Sequence, residues 1–277
     1  MRNSFVFIVF LVLQILTTSS AVGSPVVYKF GVVPQFEPRK LSSIWRPILD
    51  ALEERTGYKF RMTGSPQIPD FEGLFMSGEF DFAYMNPYHS VLAAKKQGYI
   101  PLVRDNGVRL FGVLTVKKDS GVTDIKQLAG KTIAFPAPNA LGASLLMRAD
   151  LIDLHGIDFK PKYVKTHSSV YLNVALGLAD AGGGVMGTLN QQKKTVKDSL
   201  SVIYKTRTMS PHPVTAHPRV DPIVRERVKN AFLELGKTEH GAFLLRKVPI
   251  KKVGPASISD YEEITQWGLD RYYKSPR

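Results

Sequence analysis

The chain has 277 residues, 37 Lys and Arg against 24 Asp and Glu, a formal charge of +13, and no cysteine. Without a thiol there is no disulfide framework, cysteine zinc site, thiol nucleophile or lipidated amino-terminal cysteine. The basic residues fall in scattered pairs (Lys95-Lys96, Lys117-Lys118, Lys193-Lys194, Lys251-Lys252), which reads as a solvated surface and not a nucleic-acid face, with steering of anions as its electrostatic effect.

Arg2 precedes the apolar run Phe5 to Leu16, broken only by Gln14. A membrane span needs roughly 20 apolar residues, and this run stops short at Thr17-Thr18-Ser19-Ser20-Ala21. That is the pattern of a signal peptide over residues 1–23, with a cut before Val22 or before Ser24 fitting about equally well. Removing it takes away one charge, Arg2, leaving +12, and 254 residues (277 − 23), enough for one large domain or two lobes. The mature product is expected in the periplasm.

Val26 to Val33 reads as a buried strand ending at Pro34. Ser42 or Ser43 caps a helix carrying Ile44, Ile48, Leu49 and Leu52 until Gly57 stops it, and Tyr58 to Met62 alternates as a second strand. A helix near Phe71 to Met76, a strand Phe80 to Tyr84 and a helix from Pro87 to Ala94 follow. Leu110 to Val116 is a β-branched strand, Ser120 to Leu128 a loop and short helix, Lys131 to Phe135 a strand, and Gly142 to Leu154 a helix. Tyr163-Val164 is strand, Ser168-Ser169 caps a helix to Leu178, and Asp180 to Val185 is β. Residues Gln191 to Arg219, with Pro211, Pro213 and Pro218, read as a linker or crossover. Helices Asp221 to Leu235, Gly241 to Arg246 and Ser259 to Tyr273 complete the chain. Strands alternating with helices predict an α/β fold with parallel sheets.

Three strand-to-helix loops share one design: Tyr84-Met85-Asn86-Pro87-Tyr88, Pro138-Asn139-Ala140-Leu141-Gly142 and Thr166-His167-Ser168-Ser169. Free N–H groups and the dipole at a helix start favour anions, and ligands of open α/β sheets lie beyond the carboxyl ends of strands. Each loop is equally what an ordinary helix cap looks like. His167 stands before a helix and can donate to an anion or serve the cap. His89, His155, His212, His217 and His240 lack metal-ligand spacing; His212 and His217 flank prolines, as loop residues do. Phe36, Tyr84, Tyr88 and Phe111 fall at strand ends and can wall a pocket, with core packing favoured for Phe111. No Gly-x-Ser-x-Gly elbow, Walker loop or His-Glu-x-x-His is present, Asp81 has no neighbouring acid, and Gly182-Gly183-Gly184 reads as close backbone packing near a cleft. Neither a catalytic nor a metal site is expected.

Taken together and in order, Gly31-Val32-Val33-Pro34-Gln35-Phe36, Gly78 to Pro87, Asp124 to Phe135, His167-Ser168-Ser169-Val170 and Gly177 to Gly182 resemble one family. It is that of the phosphate/phosphite/phosphonate-type substrate-binding proteins of ABC importers, within the type 2 periplasmic-binding fold. The resemblance implies a two-lobed α/β protein, each lobe a mostly parallel sheet flanked by helices, with two hinge crossings. Lobe 1 would be discontinuous over 24–114 and 207–277, and lobe 2 would span 115–206.

It also implies capture of a small anionic, phosphonate-, phosphite- or phosphate-like ligand without cofactor or turnover, by a monomer that serves a membrane permease. A sensor histidine kinase as partner, or an exported hydrolase, are the competing readings. Tyr84 matches the family's pocket tyrosine, and His167 with Ser168 its anion-contacting helix start. The expected ligand-binding set is Phe36, Tyr84, Asn86, Pro87, Tyr88, Asn139, Ala140, Leu141, Gly142, His167, Ser168 and Ser169. One departure stands out: where phosphonate-binding members carry a Ser-Thr-Ser loop, this chain reads Asn139-Ala140-Leu141-Gly142-Ala143-Ser144. Two side-chain donors are thus missing, each worth about 1.5–3 kcal/mol to a charged group. Nor does an acid follow Asp180 to pair with the amine of an aminoalkylphosphonate.

Overall fold

Local sequence sets most element ends in the computed structural model, which describes residues 26–275; the signal-peptide reading of 1–23 lies outside the described residues. β1 (Val27–Val32) leads to α1 (Pro38–Thr56), which starts earlier than the serines suggest because Pro38 supplies a preset φ at the first turn. Gly57, at φ 75°, ends α1 by donating its N–H to Glu53 O. β2 (Lys59–Thr63), α2 (Ile68–Met76), β3 (Phe82–Tyr84), α3 (Pro87–Gln97) and β4 (Ile100–Asp105) follow.

The chain then builds a second sheet from β5 (Gly112–Lys117), β6 (Thr132–Phe135), β7 (Lys160–Tyr163), β8 (Ala181–Val185) and β9 (Leu200–Lys205). Its helices are a run over 141–154 containing α4 (Leu146–Ala149) between two π-helical turns, then α5 (His167–Ala175), α6 (Met186–Asn190) and α7 (Lys194–Asp198). β10 (Val214–Ala216) returns to the first sheet, followed by α8 (Pro222–Lys237), α9 (Glu239–Lys247) and β11 (Val253–Pro255). The last expected helix consists of two 3₁₀ stretches, Ile258–Gln266 and Leu269–Arg271, parted by Gly268 at φ 63°.

The strand orders are β11-β4-β10-β3-β1-β2 and β7-β6-β8-β5-β9. The α/β class and two-sheet organisation agree with expectation, but the sheets are mixed where mostly parallel ones were expected. Four pairs are parallel, β1–β2, β1–β3, β6–β7 and β6–β8. Five are antiparallel, and all five involve β5, β10 or β11. The strand–helix–strand units are parallel because a helix carries the chain back to the same end. β5 and β10 follow the two crossings, enter their sheets from the opposite end, and so run the other way. The segment read as a linker, 191–219, contains α7, β9 and β10; β9 is half-buried, which blurs the alternation that marks a strand.

Two crossing segments join the sheets and pair with each other: the N–H groups of Leu110 and Met209 donate to the opposite carbonyl at 2.9 and 2.8 Å, and Gly112 N–H donates to Thr206 Oγ1 at 2.8 Å. One apolar core lies under the first sheet (Phe30, Trp45, Phe71, Phe75, Phe232) and another under the second (Leu114, Phe135, Met147, Leu151). A third joins them, with Tyr88, Leu141, Leu145 and Met209 packed on Tyr261 and Ile264.

Two glycines set how closely the 141–154 run approaches its sheet. A Cβ at Gly112 would lie 1.9 Å from Gly142 O, and one at Gly183 would lie 2.0 Å from Ala143 O. No described helix is long and apolar enough to cross a membrane.

Candidate functional site

The start of the 141–154 run meets the first sheet's loops in a narrow niche. Val33, Gln35, Asn86 and His212 line it on one side; Ala140, Leu141, Gly142, Ala143 and His167 line it on the other, with Val185 at the mouth. Its free space is about 20 Å³, little more than a water occupies. It opens into a chamber of about 380 Å³ that shares Gln35, Leu110, Val185 and His212 with it.

The niche's most distinctive donors are backbone. The run's first hydrogen bonds come from Ser144 and Leu145 N–H, both to Ala140 O, at 2.7 and 3.1 Å. The N–H groups of Leu141, Gly142 and Ala143 have no acceptor among the described residues. Small side chains at Ala140, Gly142 and Ala143 leave that end open, and the helix dipole gives it positive potential. The run's one hydroxyl near this end, Ser144, is buried and accepts from Arg148 Nε at 3.3 Å, so it adds no free donor.

His167 opens α5 and is buried. Its N–H donates to Gln35 O at 3.3 Å, joining the two sides of the niche. Its Nδ1 lies 3.3 Å from Thr188 Oγ1, which is 2.9 Å from Tyr171 Oη; both hydroxyls reach Val185 O. When Tyr171 donates to Val185 O, Thr188 can donate to Nδ1, which makes Nε2 the protonated nitrogen. Nε2 has no partner among the described residues. Burial pushes the His167 pKa down to about 4, so the ring is neutral at pH 7.

His212 faces it from the first sheet's side, stacked on Tyr84 with ring centres 5.3 Å apart. Gln35 Nε2 lies 3.3 Å from His212 Nε2, which makes that nitrogen the acceptor. Burial above all, with the nearness of His167 adding to it, pushes the His212 pKa down to about 3. Tyr84, at the end of β3, lies against Trp45 and faces the wider chamber; burial and then Asp105 raise its phenol pKa. Asn86 accepts from His89 N–H at 2.9 Å, capping α3, and donates to Asn139 O at 3.2 Å across the niche.

Of the twelve residues expected at the site, Asn86, Ala140, Leu141, Gly142 and His167 line the niche and Tyr84 the chamber. The other six line neither. Phe36 packs in the first core beneath Lys40 Nζ, 3.9 Å away. Pro87 opens α3, and Tyr88 lies 5.7 Å from the Tyr273 ring. Asn139 donates to Glu72 Oε2 at 3.0 Å and Lys274 O at 2.6 Å and accepts from Lys274 N–H at 3.0 Å. Ser168 takes Gln192 Nε2 at 3.4 Å, and Ser169 lies 2.9 Å from Thr166 Oγ1, the α5 cap. A capping side chain is turned toward its own helix's first N–H groups, which is why a good cap makes a poor ligand contact.

Gln35, Val185 and His212 were not foreseen. Pro211 and Pro213, which gave His212 the look of a loop residue, fix its backbone just ahead of β10. Phe111, expected in core packing, instead borders the chamber with Lys205 Nζ 5.6 Å from its ring centre. The Gly182–Gly184 stretch packs as expected: Cβ atoms there would strike Val170, Ala143 O and Tyr171. No cluster of three or more potential metal ligands occurs among the described residues.

Residues 30–261, most of the chain, match the family described as ABC transporter, phosphonate, periplasmic substrate-binding protein. The chain belongs to this family. Similar proteins include the phosphate-import protein PhnD of Mycolicibacterium smegmatis, 22% identical over 242 residues (78% of this chain, 74% of that protein). The phosphonates-binding periplasmic protein of Escherichia coli is 22% identical over 236 residues (79% and 69%). A binding protein component of an ABC phosphonate transporter from Pseudomonas aeruginosa superposes with a TM-score of 0.81 at 16% identity, covering 90% of this chain and 88% of that one. PhnD1 of Prochlorococcus marinus, solved with methylphosphonate, gives 0.80 at 16% identity, covering 88% and 98%. Both likenesses show the two-lobed binding-protein fold. As a member of a family of periplasmic substrate-binding proteins of ABC importers, the chain is a solute-capturing component.

Proposed function

We propose that the niche grips the oxyanion head of a phosphonate-, phosphite- or phosphate-like solute, and that the loaded protein delivers it to an importer permease. The carrying observation is that three unpaired N–H groups, of Leu141, Gly142 and Ala143, line one small space with neutral, buried His167 beside them and His212 across from them, without a charged side chain. A phosphonate oxygen set on the amides would also take Nε2–H of His167 and the Nδ2–H of Asn86. Neutral donors fixed in advance suit an anion shed of water, because a dipole reoriented on binding costs more than one already placed. Backbone N–H groups thus replace the hydroxyls absent from the 139–144 loop.

In this reading the lobes, 24–114 with 207–277 and 115–206, close about the paired crossings at Leu110 and Met209. The protein acts as a monomer, without turnover, in the periplasm after removal of residues 1–23. Binding by two-lobe capture accounts for the contacts that already span the niche, His167 N–H to Gln35 O and Asn86 to Asn139.

The test is thermal unfolding and calorimetry of the mature protein with inorganic phosphate, phosphite and methylphosphonate. A ligand at 100 times its Kd adds about 2.7 kcal/mol to stability. His167→Ala should weaken the best ligand roughly 10- to 100-fold, the worth of one hydrogen bond to a charged group. Unaltered affinity would remove His167 from the site.

A further inference from the structure

The niche accommodates an oxyanion's oxygens and little else, yet it opens into a chamber nearly twentyfold larger, about 380 Å³ against 20 Å³. That is the size range of small-molecule pockets, about 300–1,000 Å³. Its walls are mainly apolar: Val108, Leu110, Phe111 and Pro211 with Ile250, and Met186 from the opposite lobe. The few ionic groups are of a kind that disfavours a cationic guest. Asp105 is buried and already accepts from the N–H groups of Gly107, Lys251 and Lys252 at 2.8, 2.9 and 3.0 Å. Arg109 is paired with Glu263 at 3.1 Å, and Lys251 stands at the wall. An ammonium group here would meet two cations and a carboxylate that already accepts three backbone hydrogen bonds.

We propose that this chamber is the second half of the binding site and takes an uncharged, apolar substituent attached to the anionic head. The solute class is therefore an aryl- or alkyl-substituted phosphonate-like anion, in preference to a bare inorganic oxyanion or an aminoalkylphosphonate. The inference rests on the oxyanion reading of the niche. It adds that discrimination resides in the chamber, where burial of the substituent contributes in proportion to its apolar area, while the niche supplies orientation. Because Met186 and Val108 come from opposite sides of the cleft, a substituent held between them would favour the closed form.

The experiment is calorimetric titration of the mature protein with phenylphosphonate, methylphosphonate, 2-aminoethylphosphonate, inorganic phosphate and phenol. Phenylphosphonate should bind roughly tenfold or more tighter than methylphosphonate, with 2-aminoethylphosphonate the weaker of the substituted pair. Phenylphosphonate no tighter than methylphosphonate, or 2-aminoethylphosphonate the tightest, overturns the inference and leaves the oxyanion reading standing. Phenol as tight as phenylphosphonate overturns the oxyanion reading and the inference that rests on it, as does binding of none. Val108→Trp, which narrows the chamber, should lower the ratio of phenyl- to methylphosphonate affinity, and Met186→Glu tests the opposite wall. An unchanged ratio in a folded variant places the substituent elsewhere and overturns the assignment.

Discussion

His167 and His212 are buried and neutral for the same reason: neither has a carboxylate to stabilise the imidazolium, and burial removes the water that would. Their depressed pKa values have a definite sign. As pH falls from 6.5, the unfolded chain binds protons that the folded chain refuses, so stability present above 6.5 declines progressively down to about 4 for His167 and about 3 for His212. For His167 alone the loss across that window is roughly 3 kcal/mol. Thermal unfolding of the ligand-free protein between pH 7 and 4 should show this decline, and His167→Gln should flatten it. A slope identical in the variant would mean that other groups carry the dependence. At this scale, His167 was legible because a histidine beside a helix start has an evident use. His212 was not, because its partners Gln35 and Tyr84 are 177 and 128 positions away (212 − 35 and 212 − 84) and local sequence does not record such pairings.

Among the elements, the 141–154 run shapes the niche most, since its first turn supplies the unpaired amides that line it. Gly183→Ala would place a Cβ 2.0 Å from Ala143 O and 2.7 Å from the Phe135 ring. The run must then move off β8, at a cost of about 1–3 kcal/mol, and the amides of Leu141 to Ala143 move with it. A lowered melting temperature together with weakened anion binding is the expected pair of results; full affinity in the destabilised variant would detach the amides from the site. The three glycines read as close packing from sequence, whereas what they pack against became visible only in the fold. Helices were the most legible elements: Pro222–Lys237 and Glu239–Lys247 lie within a few residues of their expected bounds. Short strands such as β10 and β11 escaped notice because three residues cannot display a period of two.

For the molecule as a whole, two cores beneath two sheets are joined by a pair of crossings and by a carboxyl-terminal strap. That strap runs from Tyr261 to Lys274: Arg148 donates to Tyr272 O at 2.8 Å, Arg271 pairs with Asp153 at 2.9 Å, and Lys274 meets Asn139. Domain closure on a captured solute should therefore leave the strap side nearly fixed and narrow the chamber side. Small-angle scattering with and without saturating ligand should show a smaller radius of gyration when loaded. An unchanged radius at demonstrated saturation would argue against hinge closure.

The sequence by itself determined the α/β class, the family and the positions of the strand-to-helix loops. These depend on residue periodicity, turn chemistry and ordered local motifs, all of which neighbouring residues settle among themselves. Only the tertiary structure decided which loop residues line the niche. Asn139, Ser168 and Ser169 could equally have turned outward into the cleft or back to cap and brace their own lobe, and both uses favour the same residue types. The choice was made by what lies across the gap: Glu72 and Lys274 hold Asn139, Gln192 holds Ser168, and no partner reaches the amides of Leu141, Gly142 and Ala143.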